Sequence, residues 1–301
     1  MAKKHAKSKS GVHERIVAAL GTRGSFRIAG LLVAFAVVIG LAVYGACEAR
    51  RRVENDSRFR FDGWALEVGD LPWWVTPEIQ RDLAGSYRLD REAFSLFGED
   101  AMDRLRRALE RSPWVRSATD LELVYPTSER VGRIRATLVL RPPIAMVEIG
   151  SECFLADVEG RRLGEPYDAS AQAWFRVPRI IGVRGGFAMP AAGDPWRSND
   201  IVQGIGVARV LAENGIAIDF PDHPIDAIDV SNVDGRADRR ASEVDLICGG
   251  RVFEWGRSPY ATGSQVMPIR RKLENLRRVL SDPRFGTVRV VSLYTTPLVG
   301  S

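Results

Sequence analysis

Side chains able to do acid-base or nucleophilic work are few and scattered. Histidine occurs at three positions, His5, His13 and His223. The first two sit in a basic leader, and His223 stands in Pro221-Asp222-His223-Pro224, a sequence that spells a turn. No serine accompanies it in a Gly-x-Ser-x-Gly elbow, and Cys47, Cys153 and Cys248 lack the paired spacing of a zinc site. Gly204-Ile205-Gly206 lies inside an amphipathic helical pattern and does not follow a strand, which argues against a phosphate loop. Asn232-Val233-Asp234-Gly235 reads as a turn, without the alternating oxygen ligands and closing glutamate of a calcium loop. No catalytic residue, metal site or cofactor is assigned, and no small-molecule substrate. A hydrolase built on two carboxylates distant in sequence is the alternative from another class; a cleft holding two acids would favour it.

The residue types do permit partition into lipid and strand pairing. Ile28 to Cys47 runs twenty residues without a charge, an amide or a proline, and as a helix it covers roughly 30 Å, the thickness of a hydrocarbon core. Ile28, Leu32, Val38, Leu41 and Cys47 mark this predicted anchor along its length. A cleaved signal peptide needs a shorter apolar core. Gly45-Ala46-Cys47 hints at a lipoprotein cleavage box, but Tyr44 stands where such boxes carry an aliphatic residue. Residues 1–27 hold seven lysines and arginines against the single acid Glu14, a surplus of six within a net charge of +5, so the rest of the chain carries −1. The basic balance therefore belongs to the tail. It predicts a cytoplasmic N-terminus in contact with anionic lipid, an extracytoplasmic body and no nucleic-acid partner.

Beyond a polar linker at 48–58, the spacing predicts an α+β body. Phe59 and Phe61, then Trp64, Leu66 and Val68, alternate as a half-buried strand. Thr76-Pro77-Glu78 opens a helix with Ile79 and Leu83 on one face, and Met102, Leu105 and Leu109 predict a second from about Glu99 to Arg111. Leu121 to Tyr125 and Ile134 to Leu140 read as strands, and Pro142-Pro143 closes the unit. The remainder is strand-rich. Asp157 to Gly160 and Gly249-Gly250 are hairpin turns, Ile225 to Ser231 is a strand, and helices are predicted from Ser198 and from Met267 to Ser281. On the last helix Arg270, Arg271, Lys272, Arg277 and Arg278 read as a solvated face. Cys153 and Cys248 are either a disulfide or two small buried apolar residues, and spacing alone leaves both open.

With these elements in order, the chain resembles the FtsQ/DivIB family of bacterial cell-division proteins. Ser112-Pro113-Trp114-Val115-Arg116 is similar to the family's "PWV" step, and Tyr125-Pro126 to the proline before its third strand. Arg141-Pro142-Pro143-Ile144-Ala145 resembles its "ERPPVA" crossing, Phe154 to Gly160 its "lvDaeG" hairpin, and Val177 to Gly182 its "lPvitG" segment. The likeness runs over about residues 28–295. It implies a membrane anchor at 28–47, a POTRA-like β-α-α-β-β domain at 59–141 and an FtsQ-type β domain at 142–298. It also implies a non-enzymatic scaffold of septum assembly, single-pass in the inner membrane at the division site. Its partners would be small coiled-coil bitopic proteins of the FtsB/FtsL type and other divisome members. The same strands could serve a membrane adaptor for another envelope assembly.

Carried onto this sequence, the family's pairing edge falls at Val288 to Tyr294. Alternation places Val288, Val290, Ser292 and Tyr294 on one side and Arg289, Val291 and Leu293 on the other. An unpaired strand side offers a row of N–H and C=O groups to an incoming strand, and Tyr294 is the kind of amphipathic ring that anchors interfaces. The chain departs from the family at Ser292-Leu293-Tyr294, where an Asp-x-Arg-Tyr ending is common, and Thr127 to Arg133 make a longer loop than usual.

Overall fold

The computed structural model describes residues 23–56, 65–86, 100–125, 127, 132–261, 267–295 and 299–300. Phe59, Phe61, Trp64 and Glu99 lie outside them, as does the tail before Arg23. Helix α1 runs from Arg23 to Asn55, and its segment Ile28–Val53 is long and apolar enough to cross a membrane, with a mean hydropathy of 2.5 over its most apolar eighteen residues, none of which is buried in the body. Ile28, Leu32, Val38 and Leu41 are all exposed along it. The expected break at Glu48 does not occur. The helix continues into the predicted linker as far as Asn55, and Arg52 pairs there with Glu48 one turn back at 3.3 Å.

The predicted strand-helix-helix-strand-strand order is found in β1 (Ala65–Val68), α2 (Pro77–Ser86), α3 (Ala101–Glu110), β2 (Val115–Val124) and β3 (Arg133–Leu140). The small sheet is ordered β1-β3-β2, with β1 parallel and β2 antiparallel to the central β3. Its two helices do different work. Ala101, Leu105, Ala108 and Leu109 of α3 pack on Ala118, Ile134 and Ala136 of the small sheet. Ile79 and Leu83 of α2 instead join Trp114 against Met146, Leu155 and Leu163, which belong to the next sheet. Thr76 caps α2 as expected, its Oγ1 accepting the Ile79 N–H at 3.4 Å.

Only Arg141 and Pro142 separate β3 from β4 (Pro143–Ile149), and Pro143 takes the first strand position, where its missing donor costs nothing. Arg141 fastens this crossing: its Nη1 donates to Asp157 at 2.8 Å and to Glu159 at 2.7 Å. Asp157 also accepts the N–H groups of Glu159 and Arg161, closing the predicted turn between β5 (Glu152–Asp157) and β6 (Arg162–Tyr167).

After β6 come the short α4 (Gln172–Phe175), β7 (Arg179–Ile181), α5 (Asn199–Glu213), α6 (Ile216–Asp219), β8 (Ala227–Asp229), β9 (Val244–Cys248), β10 (Arg251–Gly256), α7 (Ile269–Ser281), β11 (Val290–Ser292) and β12 (Val299–Gly300). Among the described residues the large sheet has nine strands in the order β12-β11-β10-β9-β8-β7-β4-β5-β6. Its first face carries Val147, Phe154, Ile180, Ile228, Leu246, Phe253 and Val291, buried beneath Ile201, Ile205 and Leu211 of α5 and Leu273, Leu276 and Leu280 of α7. The Gly-Ile-Gly of α5 is a packing device: a Cβ on Gly204 would lie 2.7 Å from Ile180, and one on Gly206 2.6 Å from the Tyr260 ring. The second face carries Met146, Cys153, Leu155 and Leu163 beneath α2 and Trp114. Cys153 and Cys248 thus belong to cores on opposite faces and are unpaired, which settles the open alternative in favour of two buried thiols; burial pushes both up.

Candidate partner-binding edge

The residues expected to pair with a partner come together at the end of the large sheet where β10, β11 and β12 meet. Gly249-Gly250 turns β9 into β10 with φ of +56° and +77°, a conformation that glycine adopts at little cost. Helix α7 then carries the chain over the first face, so that β11 returns parallel to β10, with Val252 opposite Val290 and Glu254 opposite Ser292. The basic residues of α7 are not all solvated, contrary to expectation. Lys272 is 1% exposed, its Nζ donating to the Arg257 carbonyl at 2.8 Å over the Trp255 ring, and burial pushes its ammonium down to about 8. Asn275 donates to the Leu293 carbonyl at 2.8 Å. One helix therefore pins the backbone just past β10 and just past β11.

The strand predicted from Val288 to Tyr294 is shorter than its alternation suggests. The strand itself is Val290–Ser292, flanked by backbone bonds to β10 from the Val252 N–H to the Arg289 carbonyl at 2.8 Å and from the Leu293 N–H to the Glu254 carbonyl at 2.9 Å, after which Leu293 and Tyr294 form a turn. Val288 precedes the strand and packs against the first-face core, separating it from Val290 and Ser292. Nor is this strand the last: Val299–Gly300 pairs antiparallel with it, Val291 opposite Gly300 and Ser292 opposite Val299. The outer position in the sheet belongs to β12, a two-residue element whose pairing no periodicity could announce.

Tyr294 lies half-buried against Gly256, which has a φ of +79° and whose missing Cβ would stand 3.0 Å from the ring. Gly256 N–H is held by the Ser242 hydroxyl at 2.8 Å, and that hydroxyl donates onward to the Val244 carbonyl at 2.7 Å. Burial first, and Glu254 next, push the Tyr294 phenol up. Sequence reasoning missed Ser242, Gly256 and Asn275 and misplaced Lys272; a glycine facing a tyrosine thirty-eight positions on leaves no local signal.

A groove of about 720 Å³ also opens beside α5 and α6, between Pro143, Ala173, Leu211, Ile216 and Phe220. His223 lies on its wall. Among the described residues that line it Asp226 is the lone carboxylate, and it is occupied by the Gly249 N–H at 2.7 Å. The pair of acids on which a hydrolase reading depends is not found in this groove.

One helix of membrane-crossing length followed by an α+β body with a small three-stranded and a large nine-stranded sheet defines the class of chain. No family model matches it. Among curated proteins it is similar to the cell division protein FtsQ of Koribacter versatilis (strain Ellin345), at 28% identity over 156 residues, covering 50% of this chain and 40% of that protein. The chain thus spans less than half the length of this relative and is FtsQ-like in sequence.

Proposed function

We propose that this chain is a membrane-anchored, non-enzymatic scaffold of the cell-division machinery, held by α1 and binding partner proteins at the β11–β12 end of the large sheet. The observation that carries the reading is the likeness to FtsQ, a protein named for cell division. Two features support it: an apolar helix preceded by a surplus of basic residues, which suits a cytoplasmic N-terminus and an extracytoplasmic body, and a sheet end whose outer strand is two residues long. A short outer strand leaves N–H and C=O groups for β-augmentation by a partner segment. Val290, Ser292 and Tyr294 then serve as the inner wall of the site, with Val288 bracing it from the core. The partners are small coiled-coil bitopic division proteins of the FtsB/FtsL type.

The test is co-purification of the full-length chain from its own cells with and without Val299→Pro, which removes a ladder donor. Small coiled-coil division proteins retained by the native chain and lost from the variant support the reading. Retention by both sinks the edge; recovery of unrelated envelope-assembly proteins in their place sinks the division role.

A further inference from the structure

The second face of the large sheet changes character towards β12. In each strand the residue adjoining the first-face core member points the opposite way, which puts Asp229, Asp245, Glu254 and Ser292 on the second face. They stand in one row: Asp229 opposite Asp245, Asp245 opposite Glu254, Glu254 opposite Ser292, and Ser292 opposite Val299 of the outer strand. With strands about 4.8 Å apart, the three carboxylates form a stripe roughly 10 Å long. Like charges directly opposite one another repel.

The row is poorly satisfied from within. Asp229 accepts the Ser231 N–H at 2.7 Å. Asp245 has a buried Oδ1 with no hydrogen-bond partner, and among the described residues Glu254 makes no ion pair. Ser292, 8% exposed, holds a buried Oγ at the end of the row nearest the edge, with the Tyr294 phenol as a side-chain neighbour of hydrogen-bonding type and no well-formed hydrogen bond among the described residues. Other buried acids are treated differently: Asp200 pairs with Arg236 and accepts the Arg184 N–H, and Asp157 pairs with Arg141. No group of three metal-ligating side chains among the described residues is placed to hold an ion, which argues against a divalent cation.

We propose that the row Asp229-Asp245-Glu254, continued by Ser292, is a recognition stripe for a lysine- or arginine-bearing segment of the protein that docks at the β12 edge. The inference rests on the edge reading, since the stripe leads to that edge. Cationic side chains would supply donors to the Asp245 and Ser292 oxygens and relieve the repulsion along the row. Cations three or four residues apart on a helix stand about 5–6 Å from one another, close to the spacing of the carboxylates.

The test uses the full-length chain in detergent micelles and two labelled peptides, an amphipathic one with lysines at four-residue spacing and a twin with glutamates in their place. Fluorescence anisotropy should show the lysine peptide binding and its twin not. Asp245→Asn combined with Glu254→Gln should weaken binding about tenfold, and added salt should weaken the native protein more than this variant. Both replacements keep side-chain volume and remove repulsion, so the variant folds; Glu254→Lys supplies a second, stronger block. Equal affinity of native protein and double variant overturns the proposal, as does equal binding of both peptides or displacement of the lysine peptide by stoichiometric calcium. Val299→Pro, read in parallel by retention of the native partners, separates the two ideas. Partner loss there with acid-independent peptide binding leaves the edge and sinks the stripe; the converse sinks the edge reading alone.

Discussion

The two ends of the second face of the large sheet are built on the same strand geometry and finished in opposite ways. Towards β6, Met146, Leu155 and Leu163 lie fully buried under Ile79, Leu83 and Trp114. Towards β12, the row in register with Met146 is apolar at Ala227, Ile247, Val252 and Val290, but the neighbouring row of the same face carries Asp229, Asp245 and Glu254, which no arginine or lysine among the described residues neutralises. The first end is an interior surface completed by the small α+β unit. The second has the polarity of a surface completed from outside. Sheet structure alone does not decide which, because register is indifferent to what covers it; the side chains do.

Trp114→Ala tests the covered end most severely. Its indole is wholly buried between the sheets, and removal should cost about 4 kcal/mol in urea or thermal unfolding of the full-length chain. A loss typical of an exposed site would mean that this end is not a core. Arg141→Ala comes next, at about 3 kcal/mol, because it leaves the 1% exposed Asp157 carboxylate without its cation at the crossing between sheets.

At the acidic end the sign reverses. Burial first, opposed by the nearby Ser242 hydroxyl and aided by Glu254 and Asp229, pushes the Asp245 carboxyl up to about 6 from 3.8. The folded state therefore holds its proton where the unfolded chain has released it, so stability falls as pH rises from about 4 to about 6 and stays lower above that. Asp245→Asn should gain roughly 1–2 kcal/mol at neutral pH, after discounting for solvent screening, and flatten that stretch of the stability-pH curve. A variant less stable than the parent would show that the carboxylate has a partner. The smallest effect belongs to Thr76→Ala, which removes the cap of α2 for about 1 kcal/mol and loosens the cover without exposing it.

Much of this architecture is legible in sequence because it depends on local rules. The order of the small unit follows from alternation in Leu121 to Tyr125 and Ile134 to Leu140 and from the capped helix after Thr76. The β9–β10 hairpin follows from two adjacent glycines, both of which adopt positive φ. What escapes is long-range. Ile79 and Leu83 share a face whichever sheet receives them, so nothing in α2 announces that it bridges the two sheets, packing with Val115 and Leu140 of the small one and Met146, Leu155 and Leu163 of the large one. Asp229, Asp245 and Glu254 are unremarkable in a chain with thirty-eight acids until register sets them side by side. The basic run of α7 misleads for a related reason: Lys272 sits among arginines in sequence, yet it is drawn inward by the Arg257 carbonyl and the Trp255 ring. The strand at Val290 is shortened by Leu293 and Tyr294 turning away, and that turn brings the tyrosine ring onto Gly256.

The continuation of α1 to Asn55 has a consequence for how encounters happen. With the span ending at Cys47, as the sequence leads one to expect, the helix adds eight residues, a stalk of about 12 Å, and the nine residues from Asp56 to Trp64 can bridge at most roughly 30 Å before β1 begins. A body tethered in this way to a bilayer samples a thin layer, not a volume. A partner anchored in the same bilayer would meet it at an effective concentration set by that layer's height, so a weak edge contact could suffice to hold the pair together, and lengthening the stalk would dilute it without touching a single interface residue.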